Sequence, residues 1–441
     1  MASDHHHQVS VEEKYVFENS TRKQAINFML VGAALFVIGI LLMYFIKDTH
    51  ATEGAEAGHA HGASLFKKIV AFVWMNNVYF TGIAIIGIFF VSVQYAAQAG
   101  WSSSIKRIPE AFGYFLPFAG GVMLLTFLAM ILVNGGHDSI FHWTHEGVTD
   151  KASPEYDAII AGKAAYLNVP FFLIRMVAYF GLWYFTFLQI RKFSLQEDLE
   201  KNVKFYEKQT FWSVVFIVIF AVTSSTSAWD WALSIDTHWF STMYGWYTFA
   251  SWHVAGLATI TLVVVLLKEA GYLQMVNSSH LHDLGKFMFA FSIFWAYIFI
   301  SQFLLIYYAG IPEETIYFKE RWQGEMFGFN YTPLFFLNLI VNFIFPFLAL
   351  MTRDSKRHLI FLKVVAVGII AGHWLDFYQM IIPGSLGAAG GMDDLRNLVV
   401  SIGIAGIYIG GFMLVVGTNL SKHLLIAKNH PMLEESMHHD I

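Results

Sequence analysis

Ten runs of uncharged, predominantly apolar residues dominate this 441-residue chain. They fall roughly at 25–46, 70–93, 112–133, 168–190, 210–228, 245–267, 287–309, 330–351, 358–380 and 398–418. A run of about 20 apolar residues crosses the hydrocarbon of a bilayer as a helix. Lipid offers exposed backbone groups no partners, so each run is expected to be helical. The alternation typical of barrel strands is absent; Ile83–Val91 is apolar on every side. Charged residues make up only 13% of the chain, against about 25% in soluble domains, too few to cover a water-facing surface. The reading is an all-α integral membrane protein with ten transmembrane helices. Residues 1–24 form a polar N-terminal segment, 25–418 the membrane domain, and 419–441 a C-terminal tail. The first run is too long for a signal h-region and reads as an uncleaved helix.

Lysine and arginine crowd the side of both termini, as in Lys106, Arg107, Arg191, Lys192, Lys201, Lys204, Lys208, Arg353, Lys356 and Arg357. They are sparser on the opposite side, which predicts cytoplasmic termini. The large loops 47–69, 134–167 and 310–329 then lie outside and suggest a docking surface for outer-face proteins. The net charge of −5 argues against nucleic acid as a partner. The chain has no cysteine, which excludes disulfides, thiolate-held iron–sulfur clusters, covalently attached haem and cysteine zinc sites. Redox centres would need His or Met ligands, or would belong to partners.

An ionisable group inside a span costs several kcal/mol and is a functional candidate by default. Arg175 stands one turn before Tyr179 in span four, and His253 follows Trp252 in span six. His373 and Asp376, three apart, share one face of span nine. Asp230, Asp236 and His238 close span five, and His137, His142 and His145 follow span three. All lie in the outer half. The inner halves offer only neutral groups such as Asn342, Thr259 and Thr261. Asp230, Asp236, His238, His253, His373 and Asp376 are thus candidates for an outer proton path. Arg175 pairing with Asp376 or Asp230 as a plain helix lock is the competing reading.

Weaker signals complete the reading. His253 and His373 have compatible depths for a haem b pair, with nothing else to support one. His50, His59 and His61, with the histidine runs at the two ends, are compositional metal tracts, and no metal is expected from them. Trp229, Trp231, Trp239, Trp246 and Trp252 read as an interfacial aromatic belt that could also flank a flat quinone ring.

Several longer strings carry a family resemblance. AWDWALSIDTHWFSTMYGWYTFASW, FISQFLLIYYAGIPEET with the later Arg321, NFIFPFLALMTRDSKR and GHWLDFYQMIIPG resemble the ActF-type membrane subunits of bacterial alternative complex III. So do VQYAAQAGWSSSIKRIPEA, HWTHEGVTDKASPEYDAIIAGKAAYLNVPFFLIR and RKFSLQEDLE. The resemblance spans residues 70 to 420. It implies a ten-helix protein of the polysulfide-reductase membrane-subunit type, with two four-helix bundles and two flanking helices, in the bacterial inner membrane. It also implies the partners of a quinol:cytochrome c oxidoreductase: an iron–sulfur subunit, multihaem and monohaem cytochromes c, a paralogous quinol-binding membrane subunit and, in some assemblies, a terminal oxidase. Haems and iron–sulfur clusters would sit in those partners, with menaquinol or another quinone as the membrane substrate. The paralogous subunit carries GHAGT-like and HMGRPW-like segments where this chain reads MNNVYFTGIAIIG and GGHDSIFHWTH. The implied role here is structural and proton-handling, with Arg175, Tyr179, Trp252 and His253 as a secondary quinone pocket. A scaffold that only anchors the redox subunits is the alternative, and a secondary transporter finds no inverted repeat to support it.

Overall fold

Leu-, Ile- and Phe-rich runs with at most isolated interior charges, such as Arg175 and Asp376, can satisfy their backbone only internally, and each becomes a helix. The computed structural model describes residues 12–45, 63–322, 331–391 and 394–440. Among the described residues ten helices are long and apolar enough to cross a membrane: α1 (Asn19–Phe45), α2 (Leu65–Ala96), α3 (Arg107–Gly136), α4 (Val169–Leu199), α5 (Val203–Ile235), α6 (Met243–Glu269), α7 (Ser278–Ala309), α8 (Thr332–Ala349), α9 (Leu359–Leu386) and α10 (Leu395–Leu420). Several outrun the apolar stretches by a polar turn, and side chains cap their first N–H groups. Asn168 accepts from Phe171 N, Asn202 from Lys204 N, and Asn277 anchors a reciprocal capping box with His280.

Two helices form the centre. The apolar window of α2 is 89% buried and that of α6 83%, whereas that of α1 is 11% buried. Around α2 pack α3, α5, α6, α9 and α10; α4 lies on α3 and α5, and α8 on α7 and α9. Buried asparagines tie the centre together. Asn77 donates to Ala119 O and accepts from Tyr408 OH, and Asn76 accepts from Trp374 Nε1. Peripheral α1 leans on α10 along a seam of small residues, where Gly32 meets Gly403 and Gly406. A Cβ on Gly32 would come within 2.5 Å of Gly403 O, so only glycine permits this approach.

An even number of spans puts both ends on one face. Lys14 and Leu424 form an isolated antiparallel bridge there, with Leu425 N donating to Glu13 O at 2.9 Å. We call this the terminal face and the opposite one the loop face. On the loop face the segment 310–329 contains an amphipathic helix, Pro312–Trp322, and 134–167 contains the short helix Ala158–Lys163. His50, His59, His61 and the N-terminal histidine run lie outside the described residues.

Two prolines open the helices that hold the site. Pro346 follows a π-turn at Ile340–Ile344 of α8, where the wider turn accommodates a residue that cannot donate. Pro383 lies inside α9 and releases the carbonyl four residues back, that of Gln379.

The tryptophan belt is corrected. Trp231 and Trp252 are fully buried, Trp239 is 4% exposed and Trp229 is half-buried, so of the five only Trp246 is exposed, at 57%. Trp252 stacks on Phe377 and donates to Val78 O at 3.1 Å, knitting α6 to α9 and α2.

Candidate functional site

Asp376 is the most deeply enclosed carboxylate of the loop-face half. Asn338, in the regular first part of α8, reaches it with Nδ2 2.6 Å from Oδ1. Tyr247 OH of α6 donates to the same oxygen, and Trp295 Nε1 of α7 donates to Oδ2 at 2.9 Å. All its direct donors are neutral. His373, one turn earlier, places Nδ1 3.8 Å from Oδ2 and 2.9 Å from the Ser251 hydroxyl with which it is hydrogen-bonded. His373 and Asp376 are fully buried. Asn342 Nδ2 donates to Asn338 Oδ1 and, at 3.0 Å, to Gly372 O, extending the polar group toward the middle of the bundle. His373 Nε2 and Asn342 Oδ1 are buried without a partner among the described residues; such atoms are the ones ordered water serves in protein interiors.

From Asp376 the polar groups lead outward. Asn338 Nδ2 also donates to Gln379 Oε1 at 3.2 Å. The carbonyl of Gln379, released by Pro383, accepts from Arg321 Nε at 3.0 Å, and Met380 O accepts from Nη2 at 3.2 Å. The same Nη2 donates to Asp236 Oδ2 at 3.0 Å. The Arg321 guanidinium lies 3.5 Å over the Tyr317 ring, which stacks on Trp239. Gly384 makes room for this meeting: a Cβ there would stand 2.7 Å from Asp236 Cγ.

Asp236, Tyr317 and Glu320 line a cleft of about 340 Å³ on the loop face, with Lys67, His142, His145 and His238 also on its wall. Burial raises the Glu320 carboxyl to about 7, with Arg321 opposing the rise and Asp236 adding to it. Burial also raises Asp236, against the pull of Arg321. The same cause pushes His145 down to about 4. The cleft therefore ends at a guanidinium flanked by two carboxyls that resist ionisation.

The other expected residues fall into separate groups. Arg175 and Asp230 form a two-pronged pair at 2.7 and 2.9 Å, Tyr179 OH donates to Asp230 at 3.0 Å, and Tyr166 O accepts from Arg175. Of the two partners open to Arg175, the structure selects Asp230. His253 sits among Phe89, Phe249 and Phe291, the last 4.2 Å away, and its Nδ1 has no partner among the described residues. Residues 251 and 253 point to opposite sides of α6, so His253 faces away from the Ser251–His373 bond. Arg175 and Tyr179 thus belong to the Asp230 group, Tyr179 reaches Trp252 through the Trp231 ring, and His253 packs among phenylalanines. His238 lies at the cleft rim, 51% exposed, 2.5 Å from the Asp157 carboxylate.

The expectation of a single polar layer is corrected too. Extension of α3 and α4 brings Glu110 and Glu197 into a second buried layer at the terminal face. Glu110 accepts from Arg191 and, at 2.7 Å, from Ser194 Oγ; Lys106 pairs with Glu197 at 3.0 Å and Arg107 with Asp198. Arg321, Asn338, Tyr247 and Trp295 were absent from the sequence-derived candidates; only Pro383 four residues after Gln379 hinted at a freed acceptor.

No protein-family model matches the chain, and no curated protein matches it.

Proposed function

We propose that the chain is an integral membrane subunit of a respiratory quinol:cytochrome c oxidoreductase of the alternative complex III type. Its part is to exchange protons between the membrane interior and the loop face, read as periplasmic from the lysine and arginine distribution. The observation that carries this reading is the track from the cleft through Glu320, Asp236 and Arg321 to Gln379, Asn338 and Asp376. A carboxylate held by neutral donors beside a histidine is a group able to hold and release a proton. The family resemblance supplies the respiratory context, and the zero cysteine count agrees with electrons travelling in partner subunits. Arg175 and Tyr179 are engaged with Asp230, and His253 is packed among phenylalanines, which supports a proton role for this chain over a quinone site of its own.

The test is Asp376→Asn in the assembled complex. Quinol:cytochrome c turnover should fall by about 10²-fold, while the partner subunits co-purify in the native ratio. Unchanged turnover would sink the proton role. The scaffold reading is favoured by one observation, the internally satisfied Arg175–Asp230 pair. It expects normal turnover from Asp376→Asn, and loss of partners when 134–167 is shortened.

A further inference from the structure

The C-terminal tail takes no part in the polar track, yet the fold holds it against the terminal face. Residues 424–427 anchor it. Leu425, Ile426 and Ala427 are buried, and the backbone here bridges to the N-terminal segment at Lys14 and Glu13. Beyond the anchor the attachment is mostly polar. A helix leaves its last carbonyls without intrahelical partners; at the end of α4, Asn429 Nδ2 donates to Glu197 O at 2.8 Å and to Asp198 O at 3.2 Å. On the link between α2 and α3, Trp101 O accepts from Ser436 Oγ at 2.7 Å, and Ser104 Oγ lies 2.9 Å from the same hydroxyl. At the start of α7, His280 Nε2 is 3.0 Å from Ser436 Oγ and Asp283 Oδ2 is 2.7 Å from His439 Nε2. Asn277 Nδ2 donates to His439 O at 2.6 Å. Glu435 lies against Gly100, where a Cβ would come within 2.4 Å of Oε2.

Under this segment lies the buried charge of the terminal face. His430 and Met432 wall a cavity of about 10 Å³ with Tyr95, Ser103, Tyr206 and Lys106, whose Nζ pairs with Glu197. That is room for about one water molecule. Glu197 Oε1 and Arg107 Nε are buried without a hydrogen-bond partner among the described residues, so the layer has unmet hydrogen bonds that entering water would satisfy. Between 428 and 440 only His430, Leu433 and Ser436 are buried, and Leu433 alone of them is aliphatic. Hydrogen bonds that water can replace add little net hold, whereas buried apolar area adds much; the segment beyond the anchor is therefore the part built to come away. We propose that residues 428–440 are a hinged lid over the terminal face, turning about the anchor at 424–427, and that its opening admits water to the Lys106–Glu197 layer.

Opening is read without turnover, so the outcome is independent of the quinol reading. The chain has no cysteine, so one introduced thiol reports on one place. Ser103 is 2% exposed beneath the lid, with Oγ 3.4 Å from Met432 O, and Ser401, fully buried in α10, serves as the control. Ser103→Cys in the full chain in detergent should react slowly with a water-soluble maleimide. Ending the chain after Ala427, which keeps the anchor, should raise that rate tenfold or more, while Ser401→Cys stays unreactive. A rate unchanged by the truncation would overturn the proposal. So would a Ser401→Cys that becomes reactive alongside, since the molecule would then have loosened as a whole. Should the truncated chain fail to fold, as judged by thermal unfolding, Asn429→Ala with Ser436→Ala in the full chain decides: a raised rate at Ser103→Cys supports the lid, and an unchanged one overturns it.

Discussion

Asp230 and Asp376 are both buried carboxylates, yet their surroundings set them to different work. Asp230 faces a guanidinium in a two-pronged pair, whereas Asp376 meets only neutral donors. Removing one member of a buried pair strands the other, at a cost of about 3–5 kcal/mol. Arg175→Met should therefore lower the thermal stability of the purified chain sharply, while Arg175→Met with Asp230→Leu should recover most of the loss. An equally unstable double variant would show that the pair is more than a lock. Glu320 makes a pH-dependent contribution whose sign follows from its raised value. The folded protein favours its protonated form, so that stabilisation is complete below 4.5 and disappears as pH rises through about 7. Glu320→Gln should flatten the stability profile between those limits, as read by thermal unfolding from pH 5 to 8. A profile unchanged by the substitution would remove Glu320 from the titrating set. At this scale His373 and Asp376 were legible from their three-residue spacing. Tyr247, Trp295 and Asn338 were not, because each is an ordinary core residue until helix packing names its neighbour.

Among the elements, α8 is interrupted by a π-turn, and it carries Asn338 and Asn342 of the site. The π-turn at Ile340–Ile344 precedes Pro346, and Asn338 and Asn342 sit on either side of its start. Asn338→Leu would remove a donor from Asp376 and Gln379 and strand Asn342. Leaving buried polar groups unpaired costs about 1–3 kcal/mol. The variant should unfold at lower temperature and lose turnover in the assembled complex; native stability would show that α8 repacks without this network. The ten helices themselves were plain in the sequence, because uncharged length is enough to identify a span. Their ends were less so. Reading α3 from 112 hid Glu110, which the folded chain places in the first turns of the helix, buried at 2% exposure.

Across the whole molecule, charge is sorted into two layers. No Asp, Glu, Lys or Arg lies between Arg175 and Arg191 on α4, or between Lys363 and Asp376 on α9. At 1.5 Å per residue these gaps measure about 20–24 Å. Thr259 and Thr261 within this zone bond to carbonyls of their own helix at 2.8 Å. The polar track therefore opens to one face, which suits proton exchange with that side better than passage across. The seam between α1 and α10 has a consequence for how the chain is made. The first helix finds its main partner in the last, some 350 residues later. At about 5–20 residues per second, α1 spends roughly 20–70 s in the bilayer before its glycine groove is filled. During that interval Gly32 and Gly39 present a bare notch that neighbouring helices of other nascent chains can enter. The seam is thus closed only when α10 enters the bilayer late in synthesis.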